Sequence, residues 1–169
     1  ITFDRGRIDL IDPRRFATVK TGDVPACDVC IANPLESFEV VDLMKVAGRR
    51  KLPVKSFLMD QKVISGIGNI YACEILHKAG VDPCRRADRL TRDQWLKIAR
   101  AAKGILKKAV ECRGTSVSDW RDLFGRKAEF QNHLRVYARE GESCRRCGAK
   151  IKRGKLGGRG TYFCPSCQK

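Results

Sequence analysis

Long apolar runs are missing from this sequence, and so is a basic-then-apolar leader at its start. A membrane-spanning helix needs about 20 consecutive, mostly apolar residues, so a spanning segment is not expected. No secretory signal or lipidation motif is present. Histidine is scarce. His77 and His133 are the only two, and neither sits in a ligand spacing, so neither is assigned chemistry. Acid is in deficit as well, with 19 Asp+Glu against 35 Lys+Arg, a formal net charge of +16 and a pI near 9.8. A charge so far from zero points to a polyanionic partner. What is present suffices for a packed core: 43% of the 169 residues are hydrophobic and 32% charged, enough for one ordinary domain or two small ones. Nine cysteines, odd in number and clustered as CxxC pairs, favour reduced thiols and metal over a disulfide scaffold, hence an intracellular protein. A monomer is expected.

The chain is organised around Asp60–Leu76. Ahead of it, Pro53–Met59 reads as a short helix with Pro in an opening turn, where its missing N–H costs nothing. Behind it, Asn69–Ala79 reads as a second helix, with Ile70, Cys73, Leu76 and Ala79 at helical spacing. Between them Ser65-Gly-Ile-Gly-Asn69 can turn tightly, because Gly66 and Gly68 can take positive φ. A helix that opens at Asn69 presents free N–H groups and the positive end of its dipole, which suits a phosphate. The plainer alternative is that Asn69 only caps its own helix.

Upstream, Ile1–Asp12 alternates apolar and polar residues about a Gly-containing turn. It reads as a β-hairpin, the tail of a sheet whose earlier strands are absent, and so the chain reads as a fragment. Asp12-Pro-Arg-Arg-Phe16 sets an aromatic beside two arginines on a turn. Phe can stack and Arg can bond base edges or phosphates; a basic turn with Phe16 in the core is the alternative. Cys27 and Cys30 supply two of the four ligands that a structural zinc requires, and read as reduced thiols or a redox pair. Ala32–Glu36 reads as a linker. Phe38–Ala47 reads as a helix whose apolar face is Phe38, Val41, Met44 or Lys45, and Val46, and Gly48–Lys51 is a basic break. Beyond the organising stretch, Val81–Ala87 is a loop and Thr91 the N-cap of a long helix. Its face is Trp95, Ile98, Ala102, Ile105, Leu106, Ala109 and Val110, running to Cys112 and ended by Gly114. Residues 115–125, with Trp120 and Leu123, read as a partly helical connection. Phe130, Leu134 and Tyr137 then fit another helical face.

The C-terminal segment carries the most specific spacing. Cys144-Arg-Arg-Cys147 and Cys164-Pro-Ser-Cys167 bracket residues 148–163, which matches a tetrahedral four-cysteine zinc site on two knuckles of a β-hairpin. A tail of residues 141–169 cannot bury a core of its own, so one structural zinc ion would supply its fold. The hairpin between the knuckles holds Lys150, Lys152, Arg153, Lys155 and Arg159 and no acid. Glycines beside Arg159 would let the backbone approach a surface closely.

Together these motifs resemble the C-terminal two-thirds of the formamidopyrimidine-DNA glycosylase and endonuclease VIII family. Four stretches carry the resemblance in order: Asp12–Phe16, Met59–Glu74, Phe130–Gly141 and Gly158–Gln168. The fold it implies is mainly α. Residues 1–33 would be the remnant hairpin of an N-terminal β-sandwich, 34–140 a helical helix–two-turn–helix DNA-binding domain, and 141–169 a four-cysteine zinc finger. Asn69 and Arg159 match the pair that clamps phosphates flanking a damaged nucleotide, which helps it rotate out of the stack. Arg14 and Phe16 match the residues that fill the vacated space, and Lys62 lies beside the motif as a further phosphate contact. Cys144, Cys147, Cys164 and Cys167 match the zinc ligands. The partner implied is duplex DNA carrying damaged bases or abasic sites, in the cytoplasm or nucleoid of a bacterium.

The departures bear on activity. The family's nucleophile is an N-terminal proline followed by a glutamate, with an assisting lysine, and none of these has a counterpart here. No catalytic residue is therefore assigned, and this chain is expected to bind without cleaving. Ala17 stands where the family usually has Gly, and Gly125-Arg-Lys-Ala-Glu129 replaces the usual glycine-rich loop over an extruded base. Two readings follow: the DNA-binding part of a base-excision glycosylase and AP lyase, or a non-catalytic zinc-dependent module for damaged or bent DNA. A zinc ribbon for RNA is a third.

Overall fold

The computed structural model describes residues 2–7, 31–36, 38–117, 121 and 124–169. Its elements in order are β1 (Thr2–Phe3), β2 (Gly6–Arg7), α1 (Val40–Ala47), α2 (Val54–Leu58), α3 (Asn69–Ala79), a 3-10 turn (Ala87–Arg89), α4 (Arg92–Glu111), a second 3-10 turn (Phe130–His133), β3 (Lys152–Leu156) and β4 (Arg159–Phe163). The fold is mostly helical with short antiparallel hairpins. β1 and β2 pair as Thr2 with Arg7 and Phe3 with Gly6; the rest of the expected N-terminal hairpin lies outside the described residues.

α4 begins at Thr91, where the hydroxyl accepts the Gln94 N–H at 3.3 Å and Gln94 Oε1 accepts the Thr91 N–H at 3.1 Å. This reciprocal capping satisfies two donors that the first turn would otherwise orphan. The helix closes at Cys112, as its spacing implies, and Gly114 follows. Trp95, Ile98, Ala102, Ile105, Leu106 and Ala109 are buried, whereas Val110 is exposed, one step off the stripe. α4 packs on α3, and Trp95 meets Phe57 of α2 edge-on, with centroids 5.4 Å apart. Leu43, Val54, Leu58, Ile64, Ile67, Ile75 and Leu76 complete the core.

Two expected helical faces are corrected. In α1 the buried residues are Val40, Leu43 and Ala47, while Val41 is exposed. The stripe at i, i+3 and i+7 is rotated from the expected one because Leu43 is its centre. Past Phe130–His133 there is no helix at Leu134–Tyr137. There the backbone N–H groups of Arg135, Val136 and Tyr137 are spent on the buried Glu74 carboxylate, at 2.9 Å each, and are unavailable for helical bonding. Trp120 and Leu123 of the preceding connection are outside the described residues, and the described residues of 115–125 form no helix.

A second, smaller core lies beneath the C-terminal hairpin, where Cys73 of α3 packs with Val136, Cys144, Ile151 and Cys164. Tyr137 and Tyr162 close it edge-on at 5.0 Å. α3 therefore serves both cores.

Candidate nucleic-acid interface and metal centre

The turn from α2 to α3 is built by short side chains that bond their own backbone. Asp60 O accepts the N–H groups of Val63 and Ile64 at 2.9 Å, and Asp60 Oδ1 accepts that of Lys62 at 3.1 Å. The Asp60 carboxylate also pairs with Arg50, whose hydrogen bond is the main cause holding its pKa below the ordinary value. Gln61 staples the second turn: its Oε1 accepts the Gly66 N–H at 3.0 Å and its Nε2 donates to Ile67 O at 2.9 Å. Gly66 has φ 79°, a conformation that a Cβ would strain. Gly68, by contrast, is extended and is itself the N-cap of α3. Ala32, expected in a linker, is buried and bonded to this turn through Ser65 N–H to Ala32 O at 3.1 Å and Ala32 N–H to Val63 O at 3.0 Å.

Asn69 is thus the first helical residue, and its side chain does not cap α3. Asn69 Nδ2 reaches across to Gly160 O in β4 at 3.1 Å. The same carbonyl oxygen accepts Lys55 Nζ at 3.2 Å, and Lys55 Nζ also donates to Thr161 Oγ1 at 2.8 Å. Lys55 is only 1% exposed. Burial lowers its pKa foremost, with Arg159 adding like-charge repulsion against opposing attractions from Cys73 and Cys84. One backbone oxygen therefore ties α2 and α3 to the strand residue that follows Arg159. Asn69 Oδ1 is buried with no partner among the described residues.

The hairpin is closed by Gly157 and Gly158, both at positive φ (55° and 75°), the requirement of the tight two-residue turn that matches strand twist. β3 pairs with β4 from Lys152–Phe163 to Leu156–Arg159. Arg159 is consequently exposed at the strand end beside the start of α3. The first bond within α3 is Ala72 N–H to Gly68 O, so the N–H groups of Asn69, Ile70 and Tyr71 lie ahead of it. Lys62 is exposed on the turn leading in. These donors form a surface that can receive an anion, since the nearby acid, Asp60, is already paired. Arg14, Phe16, Cys27 and Cys30 lie outside the described residues.

Cys144, Cys147, Cys164 and Cys167 hold their Sγ atoms within 4.8 Å of one another. Tetrahedral zinc with Zn–S bonds of about 2.3 Å separates its sulfurs by about 3.8 Å, so four thiolates at this spacing fit one zinc ion. Backbone N–H groups already face two of the sulfurs: the Arg146 N–H is 3.4 Å from Cys144 Sγ and the Cys167 N–H 3.4 Å from Cys164 Sγ. His77, given no chemistry from its spacing, lies with Nε2 3.4 Å from Cys144 Sγ, the outer-shell contact that orients a ligand. Gln168 then pins the finger to the loop that follows α3. Gln168 Nε2 donates to Val81 O at 2.9 Å and its Oε1 accepts the Cys164 N–H at 2.9 Å.

A family model for the formamidopyrimidine-DNA glycosylase H2TH domain matches residues 32–120, more than half of the chain. The chain belongs to the formamidopyrimidine-DNA glycosylase family. A second model, for the zinc finger found in FPG and IleRS, matches residues 141–169, and with the four clustered sulfurs it identifies a structural zinc site. The chain is similar to formamidopyrimidine-DNA glycosylase of Xanthomonas oryzae pv. oryzae, with 41% identity over 175 residues, covering 100% of this chain and 65% of the relative. Among solved structures it is similar to MutM (Fpg) of Thermus thermophilus, with 38% identity and a TM-score of 0.78 over 82% of this chain and 53% of that one. It is also similar to Lactococcus lactis Fpg in complex with DNA containing an abasic site, with 33% identity and a TM-score of 0.77 over 83% and 52%. The chain thus spans 65% of the length of that curated family relative.

Several residues of this site escape a reading of the sequence. Lys55 had one available signal, a lysine among Val54, Phe57 and Leu58 with no acid within four residues. Glu74 is misleading, because Lys78 at i+4 suggests an exposed ion pair where the carboxylate is instead buried. Gln61, Thr161 and Gln168 act through contacts that no local pattern encodes.

Proposed function

We propose that this chain is the DNA-gripping part of a base-excision-repair DNA glycosylase and AP lyase. It holds the backbone of a duplex around an oxidised base or abasic site. In this reading Asn69, the first turn of α3 and Arg159 contact the phosphates that flank the damaged nucleotide, with Lys62 on a neighbouring one. Arg14 and Phe16 occupy the space the nucleotide vacates. The units are 1–33 as the end of an N-terminal β-sandwich, 34–140 as the helical DNA-binding domain and 141–169 as the zinc finger. The protein works as a monomer inside the cell, on the chromosome. Base removal by the family's N-terminal proline has no counterpart among residues 1–169, so the reading concerns grip and not cleavage.

The observation that carries it is the shared acceptor Gly160 O. Through it Asn69 and Lys55 hold β4 against α3, which supports a role for Arg159, the residue before Gly160, beside the first turn of α3. Phosphate recognition needs that combination of fixed dipole and charge. Charge reversal at Arg159 tests it. Arg159→Glu should weaken binding to an abasic-site duplex about tenfold or more and flatten the slope of log K against log salt by about one released counterion. Wild-type affinity and slope in that variant would reject the assignment.

A further inference from the structure

A cavity of about 370 Å³ opens at the opposite end of α3 from Asn69. Lys78 is nine residues along the helix, about 13 Å at 1.5 Å per residue. The cavity lies between the end of α3, the middle of α4 and the first zinc knuckle, and five cationic side chains line it: Lys78, Lys108, Arg135, Arg145 and Arg146. The acid in its wall is Glu74, which is 3% exposed and already accepts three backbone N–H groups. It offers little charge to balance the five. Lys108 is paired with Glu111 at 3.2 Å, but Lys78, Arg135 and Arg145 make no ion pair among the described residues.

Two details suggest a built receptacle and not a chance crowding of cations. Gly104 exposes bare helix beneath the cavity, and a Cβ there would sit 3.2 Å from Lys78 Nζ. The lysine Nζ therefore rests close over α4, and a side chain at residue 104 would push it aside by a few tenths of an ångström. The negative end of α3 is also covered: Arg146 donates to Lys78 O at 3.2 Å, and the Gly80 N–H bonds the His77 and Leu76 carbonyls. Along α4, Arg100, Lys103 and Lys107 are exposed at i, i+3 and i+7 and extend the cationic surface away from the cavity mouth.

We infer that this cavity is a second phosphate-binding site, separate from the face at the start of α3, taking one or two phosphate groups of a polyanion. The phosphate can come from a second stretch of nucleic acid or from a free oligophosphate, and the chemistry that would recognise either is the same. It goes beyond the proposed DNA grip and does not depend on it.

The test follows backbone amide shifts of the zinc-loaded full chain as inorganic pyrophosphate is added. Saturable shifts are expected at Lys78, Gly104, Arg135 and Arg145. The double variant Lys78→Glu/Arg135→Glu should weaken binding about tenfold or more, through lost charge-assisted hydrogen bonds. Lys78→Glu alone, remote in sequence from the four cysteines, should weaken it in the same direction. Arg159→Glu should leave it intact, which separates this site from the DNA-gripping face. A short duplex then distinguishes the sources. Displacement of pyrophosphate by a second equivalent of duplex would assign the phosphate to nucleic acid, and retention would assign it to a free anion; either supports the site. Unsaturable shifts, shifts confined to Asn69–Tyr71 and β4, or unchanged binding in the double variant would overturn it.

Discussion

The helical body buries Phe57, Trp95, Ile98, Ile75 and Leu76 against one another, whereas the finger's own buried residues are Cys144, Ile151, Thr161, Cys164 and Gln168. Two of those five are metal ligands and two are polar. The body can be stable through apolar burial alone. The finger instead depends on zinc from within and on polar staples to α2 and α3 from outside. Removing support from one region should therefore leave the other standing, and the staples are the measure of how far the two are coupled.

The largest expected effect is zinc removal. Structural zinc in small fingers contributes on the order of 10 kcal/mol, so a chelator should unfold residues 141–169 while the helical circular dichroism of the body persists. Loss of both signals together would show that the regions are not separable. The converse is Trp95→Ala, which opens a cavity against Phe57 and should cost about 3–5 kcal/mol in thermal unfolding of the body. Zinc content at low temperature should be unchanged. Glu74→Gln tests how α3 holds residues 135–137, the segment that leads into the finger. The amide keeps one acceptor where the carboxylate bonds three N–H groups, so about 2–3 kcal/mol should be lost. Amide exchange should quicken at Arg135–Tyr137. Protection equal to wild type at those three amides would remove Glu74 from the account.

The smallest effect concerns pH. Arg50, through its hydrogen bond, holds the Asp60 carboxyl below its ordinary value of 3.8. A lowered carboxyl contributes stability above that unfolded value and loses it as pH falls through the folded one. The Arg50–Asp60 pair is partly exposed, so the contribution is well under about 1 kcal/mol. The difference in midpoint between wild type and Asp60→Asn should be present near neutrality and shrink as pH falls below the unfolded carboxyl value of 3.8. A difference that grows on acidification would contradict this.

How much of this was legible in the sequence follows the same division. α4, its Thr91 N-cap and its stripe, Val110 apart, were readable because local periodicity and Thr91 encode them. The zinc ligands were readable because CxxC spacing is itself the geometry of a knuckle. α1 was found but rotated, since Val41 and Val46 compete with Leu43 for its centre and only tertiary packing decides. The residues that join the regions were hidden. Lys55 meets Gly160, and Glu74 meets Val136, across sequence separations that no window spans. Leu134–Tyr137 keeps a helical apolar spacing, yet its N–H groups go to Glu74.

The proposed grip has the body aim the finger, so that Arg159 would reach the phosphates only when β4 is held at Gly160 O. The direct test is duplex affinity of Lys55→Met, with zinc content and helical signal matched to wild type. Methionine fills the buried stem but cannot donate to Gly160 O or Thr161 Oγ1. Losing about 1 kcal/mol of positioning predicts roughly fivefold weaker binding with an unchanged salt slope, because the phosphate contacts are misplaced and not deleted. Wild-type affinity in a correctly folded Lys55→Met chain would contradict the claim, and the finger would then have to find the duplex without direction from the helices.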